Sequence, residues 1–264
     1  MINFAAICPH PLVLAPELKN SDKNLLQKTS KSIEVLASNL RKISPDTIII
    51  ISSQGPMRYD KFTINFDSHL FGNFVDFGGD DFDYTFKNDA DLAKKLLSYL
   101  RKKHAPIDIV RESTLDYGTL IPLIYLTQNL EKKPKIISLT FTATDWNAQF
   151  KFGKQISTIL EESDKSIAII ASVHLSNRLT EEAPAGFSPY GIKYDSTLIK
   201  LLQENEVDKI KALNPEFCEE AGEGGLQAIL ITLGAIAHSR YAFHQLSYEN
   251  PLGVGYLVGE WNIK

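Results

Sequence analysis

Cysteine is nearly absent from this chain. Only Cys8 and Cys218 occur in 264 residues, too few and too far apart for a disulfide framework. That usage fits a reducing cytoplasm, the expected compartment. Long apolar runs are missing too. The longest, residues 48–51 and 228–237, fall short of the ~20 residues that span a bilayer. The first residues lack the charged n-region and apolar h-region of a signal peptide. No basic block exceeds Arg101-Lys102-Lys103-His104, and the net charge is −4, which argues against nucleic acid as the main partner. There is no repeat, no low-complexity tract and no linker. No G-x-S-x-G elbow or Cys–His pairing supports a nucleophilic mechanism. The acidic group Asp80, Asp81 and Asp83 lacks EF-hand spacing and reads as a solvated loop.

What is present is an ordinary globular composition, 44% hydrophobic and 23% charged, long enough to bury a sizeable core. Apolar, β-branched runs such as Thr47–Ser52 and residues 166–172 read as strands buried on both faces. Residues 2–7, 62–66, 71–77, 108–111, 135–141, 241–248 and 253–260 read as further strands, with a hairpin turn near His69. Helical stripes cover 18–43, 89–103 with Asp89 as N-cap, 147–162, 194–204 and 207–213. A helix begins near Leu120, and one long helix is expected over 219–237. Alternating strands and helices predict an α/β fold. It is a single three-layer domain over 1–264, with a mainly parallel central sheet and helices on both faces.

In such a sheet the loops after strands gather on one edge, where ligands bind. Three polar loops follow strands here. Cys8-Pro9-His10-Pro11 follows the first, its prolines holding the backbone around His10 extended. Ser53-Gln54-Gly55-Pro56 follows the second. His174, Ser176, Asn177 and Arg178 follow the strand ending near Ser172. Topology therefore brings His10, Gln54 and His174–Asn177 together. Arg178 suits a carboxylate ligand or an ion pair with Glu181 or Glu182. His174 suits either a ligand role or a hydrogen-bonded core position. Cys8 reads as a packed free thiol.

Six stretches then occur in an order that resembles one family: PHPLVLAPE, PDTIIIISSQGP, LDYGTLIPL, ASVHLSNRLTEEAPAGFSP, EEAGEGGLQAILITLGA and LSYENPLGVGYLV. The chain is similar to the type III extradiol ring-cleavage dioxygenases, in their catalytic B-subunit form. It resembles more closely the Memo-like, dioxygenase-like proteins associated with the AmmeMemoRadiSam system. The resemblance implies Fe(II) held by two histidines and a carboxylate, with a further histidine as acid/base and a catechol-like aromatic as substrate. By that correspondence His10 is the first metal ligand, Gln54 stands where an SPHG-like pattern places the second, and Glu223 is the carboxylate. Gly224 stands where EAGECG carries cysteine. Tyr117 replaces the histidine of LDHGT, and Asn177 that of GDLSHRL, while His174 is new.

His174, Asn177 and Tyr117 are thus the candidate catalytic residues, and His10, Gln54 and Glu223 the candidate metal ligands. The cofactor implied is Fe(II), with Zn(II) or no metal as alternatives given three replaced histidines. Three functions stay open, one of them a different, metal-independent enzyme built on the same pocket. Another is an Fe(II)-dependent extradiol dioxygenase, weakened or lost. The third is a non-catalytic relative that binds a small aromatic or polar molecule or a protein. The family also implies a homo-oligomer.

Overall fold

The computed structural model describes residues 1–16, 18 and 22–264. Part of the expected 18–43 helix lies outside them. Its described portion is a 3-10 turn over Lys23–Leu26 and helix α1, Gln27–Ile43, which ends where Ser44 takes a left-handed conformation and donates its N–H to Leu40 O.

Four strands build the centre of the sheet: β1 (Ile2–Ile7), β2 (Thr47–Ser52), β7 (Lys135–Thr140) and β8 (Ile167–Ser172). They lie in the order β7-β2-β8-β1, all parallel. All six residues of β2 and of β8 are buried, as continuous apolar runs predict. Alternate side chains enter opposite layers. Ile49 and Ile51 join one core cluster, and Ile48 and Ile50 the other.

On one outer side β3 (Phe62–Asn65) pairs antiparallel with β7 and parallel with β6 (Ile107–Val110). On the other, β10 (Tyr256–Ile263) pairs antiparallel with β1, and β9 (Tyr241–Glu249) closes the sheet. Helices α1 and α3 (Tyr117–Thr127) cover one face. On the other lie α2 (Ala90–Lys102), α4 (Trp146–Glu161), α5 (Gly191–Gln203), α6 (Val207–Lys211) and α8 (Leu226–Ala235). The expected mainly parallel, doubly covered sheet is present, and Asp89 caps α2 at Leu92 N.

Two expectations are corrected. The hairpin does not turn at His69. That residue opens β4 (His69–Gly72), which pairs with β5 (Tyr84–Lys87) across an intervening loop. The helix expected over 219–237 is two, α7 (Pro215–Glu220) and α8. Gly222 between them takes φ +65°, a conformation that leaves the helical basin.

Candidate functional site

The carboxyl ends of β1, β2 and β8 meet at one edge. There the pairing of β1 with β8 extends one residue, Cys8 N donating to Ala171 O at 3.0 Å, and delivers His10 beside Ser172. Both residues are fully buried. His10 Nδ1 lies 2.8 Å from Ser172 Oγ, and that hydroxyl donates to Gly118 O at 2.5 Å. The serine proton is thereby committed to a carbonyl, so Ser172 accepts from His10. The proton of His10 sits on Nδ1, and the lone pair on Nε2 is buried without a protein partner.

His174 packs against His10 with ring centroids 4.0 Å apart and planes tilted by 40°. Its Nδ1 is likewise buried and unpartnered. Tyr117 meets His10 edge-on at 5.6 Å, and Tyr256 meets His174 edge-on at 5.1 Å. Burial holds both imidazoles neutral. His10 falls well below its ordinary value through desolvation and then through repulsion from His174, and His174 is lowered to about 3 by desolvation. Burial, then the charge of Asp116, raises the Tyr117 phenol, so at neutral pH it stays protonated and is no base. Tyr117 and His174 are half-buried and Gln54 is exposed, whereas His10 is fully buried.

The remaining candidates are placed differently. Gln54 N donates to Ser52 Oγ at 3.0 Å, and Ser52 Oγ donates to Asp116 Oδ1, the N-cap of α3. Asn177 Nδ2 donates to Gly222 O at 3.2 Å, which pins the loop between α7 and α8. Glu223 caps α8: Oε2 accepts from Gly225 N and Leu226 N at 2.9 and 2.8 Å, and Oε1 accepts from Gln227 Nε2 at 2.9 Å. It also lines a cleft of about 1050 Å3 with Trp146, Asn214 and Gln227. Arg178 pairs with neither Glu181 nor Glu182. Its guanidinium donates to Glu220 O at 3.2 Å and lies 4.0 Å from that carboxylate, because the loop carries it against α7. Cys8 is a buried free thiol, raised by desolvation.

Ser172, Tyr256 and Asp195 complete the site. Asp195 is buried on α5, accepts from Ser176 N at 2.8 Å and from Tyr248 Oη at 2.6 Å, and is pushed up to about 6 by burial. It thereby fixes the backbone two residues after His174. Gly255 stands opposite it, where a Cβ would lie 2.1 Å from Asp195 Oδ2.

An Fe(II) centre of the implied kind needs two imidazoles and a carboxylate on one face. Here the Glu223 carboxylate is engaged by three donors, Gln54 offers a neutral amide, and only His10 presents a free buried ring nitrogen of the three. Among the described residues no group of three or more His, Cys, Asp or Glu side chains could hold a metal ion. As placed, these residues do not fit that ion.

The parallel sheet carries a neutral histidine pair at its carboxyl edge, where α/β folds place their ligand sites. The chain belongs to the family described as the catalytic LigB subunit of aromatic ring-opening dioxygenase, which matches residues 4–259. It is 29% identical to Protein CA_C1420 of Clostridium acetobutylicum over 97% of this chain, but spans only 57% of that relative. It is 23% identical to the 3,4-dihydroxyphenylacetate 2,3-dioxygenase of Escherichia coli over 90% of each chain. It is 22% identical to the 2-aminophenol 1,6-dioxygenase beta subunit of a Pseudomonas species, over 97% of this chain and 92% of the other. The fold matches the crystal structure of uncharacterized protein JW3007 from Escherichia coli K12 with TM-score 0.68 and 16% identity, over 97% and 98% of the two chains. Among the described residues no helix is long and apolar enough to cross a membrane.

Proposed function

We propose that this chain is an extradiol-dioxygenase-like protein that binds a catechol-like or other small phenolic aromatic at the His10–His174 pair, with ring-cleaving activity weak or absent. One observation carries the reading. Two neutral imidazoles packed together each keep a buried ring nitrogen without a partner, and among the described residues no group of His, Cys, Asp or Glu completes an iron site beside them. An unpartnered buried nitrogen costs about 1–3 kcal/mol, a penalty that a phenolic hydroxyl donated to it relieves. Tyr117 and Tyr256 flank the pair edge-on and give the aromatic body an apolar wall. The relatives named for 3,4-dihydroxyphenylacetate and 2-aminophenol support a substituted aromatic as the ligand class.

The test is to purify the protein anaerobically, load it with Fe(II) and then Zn(II), and measure metal per chain beside a His10→Ala variant. Catechol is then titrated by calorimetry. Catechol binding that disappears in His10→Ala and His174→Ala, with metal well below one per chain, is the expected result. About one Fe(II) per chain, lost in His10→Ala and accompanied by catechol cleavage, would replace this reading with an active dioxygenase.

A further inference from the structure

A second cavity, of about 800 Å3, lies at the opposite, amino edge of the sheet. That size suits a small organic ligand. One wall is the β4–β5 hairpin. In its register His69 opposes Lys87, and Phe71 opposes Thr85. These alternate with Leu70 and Phe86, which pack into the core beneath. The other wall comes from the residues that lead into β2, β7 and β8: Asp46, Lys132 to Lys135, and Asp164 with Lys165.

The charges in this cavity carry a small positive excess, with Asp83 and Asp164 also on its lining. Five lysines line it against three aspartates. Lys132 is paired with Asp46, Lys165 with buried Asp89, and Lys133 donates to Thr127 O. Lys87 and Lys135 have no carboxylate partner among the described residues and are both exposed. They are also neighbours. The parallel bridge between Asn88 and Ile136 sets the residue before each, Lys87 and Lys135, side by side. Like charges placed directly across a strand pair repel, and an anion between them removes the repulsion. Beside them the apolar lining is Phe71, on the Lys87 face of the hairpin, and buried Pro134.

We propose that this amino-edge cavity is a ligand site for an aromatic anion. Its carboxylate or sulfonate sits between Lys87 and Lys135, and its flat body lies against Phe71 and Pro134. The site is separate from the histidine pair, because the strands of β2, β7 and β8 lie between the two edges.

The test uses the full chain with 1-naphthoate by calorimetry and 8-anilinonaphthalene-1-sulfonate by fluorescence. Saturable one-to-one binding is expected, unchanged in His10→Ala, and weakened as salt is raised to about 0.5 M, where charges are screened within a few ångströms. The double variant Lys87→Glu/Lys135→Glu is expected to bind at least tenfold more weakly at an unchanged thermal midpoint. The milder Lys87→Gln/Lys135→Gln covers a folding defect in the first and is expected to bind at least threefold more weakly. Absence of saturable binding, equal affinity in the glutamine variant, or loss of binding in His10→Ala each overturns the proposal. So does displacement of the dye by inorganic phosphate as readily as by naphthoate, because that marks an ion spot with no aromatic subsite.

Discussion

The two edges of one sheet treat their ionisable groups in opposite ways. At the carboxyl edge burial strips charge: His10 and His174 stay neutral and Asp195 is pushed up to about 6. At the amino edge charge is kept by pairing. Burial pushes the Asp89 carboxyl up, but the bonds from Lys165 and Thr47 outweigh it and hold it below its ordinary value. The bond from Lys132 does the same for Asp46. The difference follows from access to a counter-charge. The carboxyl-edge groups are enclosed by the loops after β1, β2 and β8 with hydroxyls and amides as neighbours, whereas the amino edge supplies lysines that reach in from solvent.

If that contrast is right, breaking the amino-edge pairing is the most damaging single change. Asp89→Ala leaves the Lys165 ammonium beside a half-closed pocket and removes a helix cap, and is expected to cost about 3–5 kcal/mol in urea denaturation. Asp89→Asn keeps the cap and should cost less.

Asp195 tests the other side through pH. Its folded value lies above its ordinary one, so the protonated form favours folding. That contribution is full below about 4 and is lost as pH rises through about 6. Asp195→Asn is expected to remove about 2 kcal/mol of this pH dependence, read as a flatter plot of denaturation midpoint against pH between 4 and 7. An equally steep plot in the variant would place the titration elsewhere.

Ser172→Ala is a smaller change. It removes the acceptor that fixes the His10 tautomer, with an expected loss of about 1 kcal/mol. Imidazole nitrogen NMR should show one tautomer in the wild type and a mixture in the variant. The smallest effect is expected for Lys132→Ala, which breaks an exposed pair and should shift stability by less than about 0.5 kcal/mol, vanishing in high salt.

Much of the architecture could be read from the chain because the runs 47–52 and 167–172 carry their burial in their composition, and Asp89 its capping role in its position. The β4–β5 pairing could not, since its partners are separated by a loop and register depends on distant contacts with Thr114 and Ile136. In the site, His10 was legible from the two prolines that restrain it, and its meeting with His174 from topology. Glu223 illustrates what was not. The same residue type in the same motif serves as a helix cap here, because Gly222 turns the chain and presents the amides of Gly225 and Leu226 to it. Tyr256 and Asp195 carry no local signal, being placed by strand and helix packing alone.

The neighbours of β1 also set an order of events during synthesis. Its partners are β8 and β10, so the strand that presents His10 stays unpaired until residues near 167 have left the ribosome, and keeps one edge open until those near 256 follow. At ~5–20 residues per second this interval lasts roughly ten seconds to most of a minute. Throughout it the apolar stretch Ile2–Ile7 is available to nascent-chain chaperones, and the histidine pair cannot form before His174 emerges.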